Sequence, residues 1–322
     1  MRPQPTPARR TLDFLWPAVG IVAVLLSCWL LSRELSHLSW ADLRGAVGAI
    51  PAHRWILAVG CTILAYAALA WYDRIALMHL GFRFSWPFIS AVSFTTYALS
   101  HNIGMSMFSG AMVRYRAYST RGLSLPDVGI MTAFCSFTFG LGTVLLGGLV
   151  CLAVPQPIVA LFALPSALVR LLGLCGLIAA GLYLAGSALR LKPVVLRGIR
   201  LEYPRPGVVA RQIVAGPLEL IGAAGIIYCA LPVEFNPGFP VVLGIFLASF
   251  SAALLSHAPG GLGVLELVFL AGMPEVPKAD VLAALLVFRL LYLIIPLVLG
   301  ILAVVAFERN RLACTLRGRN AA

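Results

Sequence analysis

Charge is what this sequence has least of. Asp, Glu, Lys and Arg supply 11% of the 322 residues, while hydrophobic residues supply 61%. A water-soluble globular protein carries about a quarter of its residues as charges, so a soluble enzyme or binding module is excluded and the chain belongs in a bilayer. Acid is scarcer still, 12 Asp and Glu against 24 Lys and Arg. Such an excess of base could serve nucleic acid, but the basic residues fall between long apolar runs, the pattern of membrane topology, and no nucleic-acid partner is expected. Catalytic and cofactor motifs are missing too: there is no P-loop, no G-x-G-x-x-G behind a strand and no Ser-His-Asp order. The seven cysteines, Cys28, Cys61, Cys135, Cys151, Cys175, Cys229 and Cys314, form no C-x-x-C pair and have no His at ligand spacing. They read as small packing residues, with no metal and no cofactor expected.

What the sequence has is apolar length. Crossing the hydrocarbon takes about 20 apolar residues per helix, and long runs lie at 15–31, 55–71, 128–154, 167–189, 213–231 and 281–307. The expectation is a single transmembrane domain over 1–322, an all-α polytopic helical bundle with no second folded unit. Arg9 and Arg10 precede the first run and no small-residue cleavage pattern follows it, so it reads as an uncleaved first helix. Ser39-Trp40-Ala41-Asp42 and Ser124-Leu125-Pro126-Asp127 carry the S-x-x-D spacing of a helix start. The first should open an amphipathic interfacial helix with Leu43, Val47 and Ile50 on one face.

Two further stretches, 87–112 and 241–273, are apolar but interrupted, by Ser100-His101-Asn102-Ile103-Gly104 and by Ser256-His257-Ala258-Pro259-Gly260-Gly261. Pro259 cannot donate a backbone hydrogen bond and the glycines favour turns, so each stretch is expected to be two half-helices meeting inside the membrane. If both are re-entrant hairpins, the basic clusters 114–121, 190–211 and 309–319 share the cytoplasmic side with Arg9 and Arg10. Only Arg33, Arg44, Arg54 and Lys278 then fall outside. If both are full spans, the first two clusters face outward against the positive-inside rule, which decides for hairpins and for cytoplasmic termini. Leu99-Ser100-His101 and Gly104 recur as Leu255-Ser256-His257 and Gly260, and the apolar runs repeat at nearly the same spacing. Each half reads as span, span, hairpin, span. Three spans is an odd number, so the halves, about 12–154 and 167–307, are inverted repeats, with a cytoplasmic tail over 308–322.

Ionisable groups within apolar segments cost about 2.5–3.5 kcal/mol each on insertion scales, so each needs a reason. Glu219, Glu266 and Arg289 stand out. Arg289 can neutralise one carboxylate, which leaves the other for a cationic head group or a proton. His101 and His257 occupy equivalent places in the two breaks and can be packing residues or face a common cavity, with Gly104, Pro259, Gly260 and Gly261 as the backbone breaks of a gate. Arg114-Tyr115-Arg116-Ala117-Tyr118 forms a basic, aromatic cluster behind the first hairpin. It serves topology and interfacial anchoring, or Arg114 and Arg116, with Tyr118, hold a lipid phosphate bidentately. The stripe Gly244, Ala248, Ala252, Ser256 offers a flat face for helix packing and no chemistry.

Three segments carry a family resemblance: Phe108-Ser109-Gly110-Ala111-Met112-Val113-Arg114-Tyr115-Arg116-Ala117-Tyr118, Ser256-His257-Ala258-Pro259-Gly260-Gly261-Leu262-Gly263-Val264-Leu265-Glu266, and Phe288-Arg289-Leu290-Leu291-Tyr292 with Pro296. They resemble the membrane region of lysylphosphatidylglycerol synthase, the multiple peptide resistance factor family. In that family the membrane half is the flippase for aminoacylated phosphatidylglycerol and a soluble domain performs the aminoacyl transfer. With the chain ending at Ala322, the resemblance implies the flippase-like half without the synthase, a lipid-transport protein of the bacterial inner membrane rather than an enzyme. The alternatives are an intramembrane transferase, or an accessory subunit of one, using the same cavity, and a scaffold with a filled core. Expected partners are a membrane phospholipid, a separate lipid-modifying enzyme and a second copy of the chain.

Overall fold

The computed structural model describes residues 40–103, 106–190, 194–196, 199–201, 204–256 and 261–305, with side chains at 103–109 and 191–203 excepted. The expected span at 15–31, the cap at Ser39, the breaks at Gly104, His257, Pro259 and Gly260, and the tail 308–322 lie outside the described residues. Six described helices are long and apolar enough to cross a membrane: Ala52–His79, Leu125–Ala153, Ser166–Ala188, Pro206–Ala230, Phe239–Ser256 and Lys278–Val305. The chain is a polytopic helical membrane protein.

Helix α1 (Trp40–Gly48) is short. Its Leu43 and Val47, with Ile50 just beyond, are half-buried, and the helix packs against α11 (Lys278–Phe288). α2 (Ala52–His79) follows Pro51 and runs eight residues past the apolar stretch read from the sequence. At its start Arg54 donates to the carbonyl of Cys229, at 3.3 Å, and to that of Leu231. One of the few basic residues expected outside the membrane is thus used to cap the C-terminus of α8 (Pro206–Ala230).

The first interrupted stretch is α3 (Trp86–Ile103) and α4 (Ser106–Tyr118), which fold back on each other. A Cβ on Gly110 of α4 would lie 3.3 Å from Thr96 Cγ2 and 3.6 Å from Ser100 Cβ of α3, a closeness that a continuous helix cannot produce. A 3₁₀ turn over Ser119–Arg121 ends at Gly122, whose φ of 92° suits glycine. α5 (Leu125–Ala153) then opens with the expected capping box: Ser124 accepts from the Asp127 amide, and the Asp127 carboxylate accepts from the Ser124 amide at 2.9 Å.

α6 (Gln156–Phe162) leads to α7 (Ser166–Ala188), which turns Leu168, Leu171, Leu172, Ile178 and Leu182 outward. The all-α expectation has one exception among the described residues, an antiparallel hairpin of β1 (Val194–Leu196) and β2 (Ile199–Leu201), with Val194 opposite Leu201. The apolar-run criterion does not see it, because it lies in the basic connection between two spans.

The second interrupted stretch is α9 (Phe239–Ser256) and α10 (Val264–Gly272), also folded back: a Cβ on Gly261 would lie 3.1 Å from Ala253 Cβ, and one on Gly272 would lie 3.0 Å from Ile245 Cδ1. The arms are unequal. Gly261 and Gly263 both have positive φ, 64° and 78°, so α10 starts only after them, and α9 alone reaches membrane-spanning length where a half-helix was expected. Gly244 of the small-residue stripe sits against Val150 of α5, as a packing role requires.

Small residues set the inter-helix distances. A Cβ on Gly222 of α8 would fall 2.8 Å from Cys61 O of α2, and one on Gly142 of α5 would fall 2.5 Å from the carbonyl carbon of Gly216 in α8. Gly148 of α5 and Gly173 of α7 meet in the same way. α8, touched on several sides, carries the longest list of buried residues of any described helix.

These crossings make a stability prediction. Gly142→Val must drive α5 and α8 apart and should destabilise the purified protein by at least about 1–3 kcal/mol, the usual penalty for overpacking. Gly147→Ala, on the same helix with nothing within 4 Å of its added methyl, should not. Thermal unfolding of the two variants in detergent, with equal midpoints as the contrary result, checks this.

Candidate functional site

The charged groups in the interior fall, among the described residues, into three clusters. The first is built on Asp73, in the last third of α2. Its helix face places it with Leu69, Ala76 and Leu77, and it is buried like them. Arg114 of α4 reaches it with Nη2 2.8 Å from Oδ1 and Nε 3.4 Å from Oδ2, and both side chains are almost fully buried. The Tyr118 hydroxyl donates to Asp73 Oδ2 at 3.4 Å and the Cys135 thiol to Oδ1 at 3.6 Å. The Arg114 guanidinium also lies 4.9 Å from the Tyr97 ring centroid. Around this cluster two further basic residues lie on aromatic faces, Arg74 over Trp86 at 4.2 Å and Arg121 over Phe88 at 4.7 Å.

This geometry separates Arg114 from Arg116, the two residues expected to hold a phosphate together. Residues two apart on a helix point to opposite sides. Arg114 faces inward and is neutralised by Asp73, Tyr118 binds the same carboxylate, and Arg116 is exposed. Asp73 escaped the sequence reading because it lies two residues beyond the apolar run. The signal was the helical spacing of Leu69, Asp73 and Leu77, which puts the acid on the core face.

The second cluster joins α10 to α11. Arg289 Nη2 lies 2.6 Å from Glu266 Oε1 and its Nε 2.8 Å from the same oxygen, while Nη2 also approaches the Gly261 carbonyl at 3.5 Å. Glu266 Oε2 accepts from the Gly263 amide at 2.8 Å, which satisfies a free donor at the start of α10. Of the two acids that could neutralise Arg289, the structure selects Glu266.

Glu219 is therefore the third centre. It lies on α8, buried, with Oε1 accepting from the Tyr292 hydroxyl at 2.6 Å and Oε2 without a partner among the described residues. Tyr292 belongs to a π-helical turn, Arg289–Ile294, inside the last long helix. Pro296 explains the turn locally: it has no N–H to give the carbonyl four residues back, which is that of Tyr292. The freed carbonyl accepts from the Tyr66 hydroxyl at 2.9 Å, and the next one, of Leu293, accepts from Asn102 Nδ2 at 3.2 Å. The Tyr292 ring packs against His101, Tyr66 and Phe288, with centroids 5.3, 5.6 and 5.1 Å away. His101 Nδ1 is buried and has no partner among the described residues. His257, Gly104, Pro259 and Gly260 lie outside the described residues, so of the expected gate only His101 and Gly261 are placed.

The pairing of Arg289 with Glu266 predicts a pattern of rescue. Removing one partner of a buried pair typically costs about 3–5 kcal/mol. Arg289→Leu should therefore lower the unfolding midpoint strongly, and adding Glu266→Gln should recover much of it, whereas adding Glu219→Gln should not. Equal rescue by both acids would contradict the pairing.

The geometry can be set beside known proteins. The model of the lysylphosphatidylglycerol synthase transmembrane region matches residues 18–300. An uncharacterised protein of Synechocystis sp. is 32% identical over 292 residues, covering 90% of this chain and 91% of that protein. The inner membrane protein YbhN of Escherichia coli is 30% identical over 82% of this chain and 83% of its own length. A phosphatidylglycerol lysyltransferase of Staphylococcus haemolyticus is 27% identical over 90% of this chain, which corresponds to only 33% of that enzyme. With more than half its length matched by the family and stand-alone relatives aligned almost end to end, this chain belongs to the lysylphosphatidylglycerol synthase transmembrane region family.

Proposed function

We propose that this protein carries a phospholipid between the leaflets of a bacterial inner membrane, drawing its polar head group through the interior of the bundle. The observation that carries the reading is charge left over. Among the described residues, otherwise apolar helices hold two ion pairs, one fully and one largely buried, each on a folded-back pair, and then one more buried carboxylate, Glu219, with no described cation beside it. Packing alone would be served as well by an apolar side chain of similar volume, without the cost of burying an ionisable group. A carboxylate in that position suits a cationic head group. The staphylococcal relative acts on phosphatidylglycerol by its name, which supports an aminoacyl-phosphatidylglycerol-like lipid as the cargo. The name of the Escherichia coli relative supports the inner membrane. The family model that matches this chain is that of a transmembrane region, which supports a role carried by the membrane helices themselves.

In this reading both folded-back pairs are re-entrant, the halves about 12–154 and 167–307 are inverted repeats, and both termini are cytoplasmic. The order of elements supports it: a long helix, a folded-back pair and a long helix occur twice, beginning at Ala52 and again at Pro206. The glycine breaks, including Gly261, act as the gate through which the head group reaches Glu219. Topology is checked by cysteine accessibility in a cysteine-free background. Glu234→Cys should be labelled from outside, and Arg121→Cys and Arg205→Cys only after permeabilisation. Outside labelling at position 121 would remove the first hairpin from this arrangement.

Transport is tested by reconstitution into phosphatidylethanolamine and phosphatidylglycerol vesicles with an acyl-labelled lysyl-phosphatidylglycerol probe. The protein should accelerate leaflet exchange over protein-free vesicles. Glu219→Gln should slow it about ten- to a hundredfold, the effect of losing one charge-assisted contact, with an unchanged unfolding midpoint because the amide oxygen still accepts from Tyr292. Exchange at the protein-free rate would defeat the proposed function.

A further inference from the structure

Glu219 cannot hold a cationic head group at every stage of a transport cycle, and what neutralises it between loads is a question the structure bears on. The neighbouring charges are spoken for. From α2, Tyr66 and Tyr72 lie within electrostatic reach of Glu219, and from the π turn Tyr292 touches it. Arg114 of α4 acts on His101 but is held by Asp73, and Arg289 is bonded to Glu266. No described cation faces the Oε2 atom, which is buried and without a partner. An ionised carboxylate alone in low dielectric is costly, so a positive charge must accompany it, and in the empty site the available one is a proton.

A second buried atom points the same way. His101 Nδ1 is also without a partner among the described residues, and its ring stacks at 20° and 5.3 Å on the Tyr292 ring whose hydroxyl holds Glu219. Two proton-accepting atoms from opposite halves of the chain thus flank one tyrosine.

We propose that Glu219 binds a proton and the cationic head group in alternation, with His101, stacked on the tyrosine that holds it, tuning when the proton is taken up, so that the protein exchanges lipid against protons. The proposal rests on the transport reading and adds its driving force. The balance is simple: with the head group present the carboxylate is ionised against the ammonium, and on its departure one proton from water bonds to Oε2, leaving the site's net charge unchanged. Because the two cations compete for one carboxylate, neither can be carried in the same direction at the same time. That is the condition for antiport.

Two measurements separate this proposal from the reading beneath it. The first needs no transport: infrared difference spectra of the purified protein across a pH titration should show a carboxylic C=O band that is lost in Glu219→Gln, retained but shifted in Glu219→Asp, and altered in its pH dependence in His101→Gln. The second uses the reconstituted vesicles and the lysyl-phosphatidylglycerol probe with the membrane potential clamped. One-for-one exchange should shift the equilibrium leaflet ratio about tenfold per unit of imposed pH difference. Leaflet exchange that ignores the pH gradient, in a protein whose spectra show no band dependent on Glu219, overturns the proposal and leaves the transport reading standing. A Glu219 band without any lipid exchange keeps the proton site and removes the transport reading.

Discussion

A charge in hydrocarbon must take its counter-charge with it, and this constraint organises the interior of the protein. Asp73 and Arg114 are not local neighbours; one lies deep in a long helix and the other on the return arm of a folded-back pair. Their pairing fixes where that arm docks. Glu266 and Arg289 do the same for the second pair, again joining the return arm to a long helix. Neither arm could dock by hydrophobic burial alone, because the surrounding lipid offers apolar side chains as good an environment as the protein does. Directional, charge-assisted bonds supply what the hydrophobic effect cannot.

Where charge is absent, backbone approach takes over. Gly142 against Gly216, Gly148 against Gly173 and Gly222 against Cys61 bring helices close enough for carbonyls and small side chains to touch. At the same crossings longer polar side chains bond across helices: Gln212 donates to Thr138 at 2.8 Å and accepts from Tyr183 at 2.8 Å, and Tyr72 donates to the Gly216 carbonyl at 3.2 Å. The glycines provide the proximity and the polar groups the register.

Much of this was legible in the sequence, and the misses share a cause. Apolar length located five of the six described membrane-length helices, and the broken stretches could be seen from their Ser-His segments and from Pro259 with its glycines, because hydropathy and backbone breakers act locally. The capping box at Ser124 is local as well. Asp73 was missed because its meaning depends on a partner 41 residues away, and a charge just past an apolar run looks like a flank until helical phase is followed through it. Arg114 and Arg116 were read together because they adjoin in sequence, whereas the helix separates them. The competition for Arg289 between Glu219 and Glu266 could be posed from composition but needed three-dimensional placement for its answer. The unequal arms of the second pair were hidden in the conformations of Gly261 and Gly263, which apolar length does not register.

Pro296 shows how one backbone defect can connect two halves of a chain. Its missing N–H releases the Tyr292 carbonyl, which Tyr66 of the first half then occupies, and Asn102, also of the first half, takes the carbonyl that follows. The same wide turn presents the Tyr292 hydroxyl to Glu219 on α8 and its ring to His101 on α3. A change of charge at Glu219 therefore acts first on a tyrosine whose backbone and ring are held by the opposite half. Substituting an ordinary residue at 296 would allow the regular helical bond to return and would withdraw the carbonyl from Tyr66. The proline thus matters less as a kink than as the reason a side chain of the last helix can answer to both halves at once.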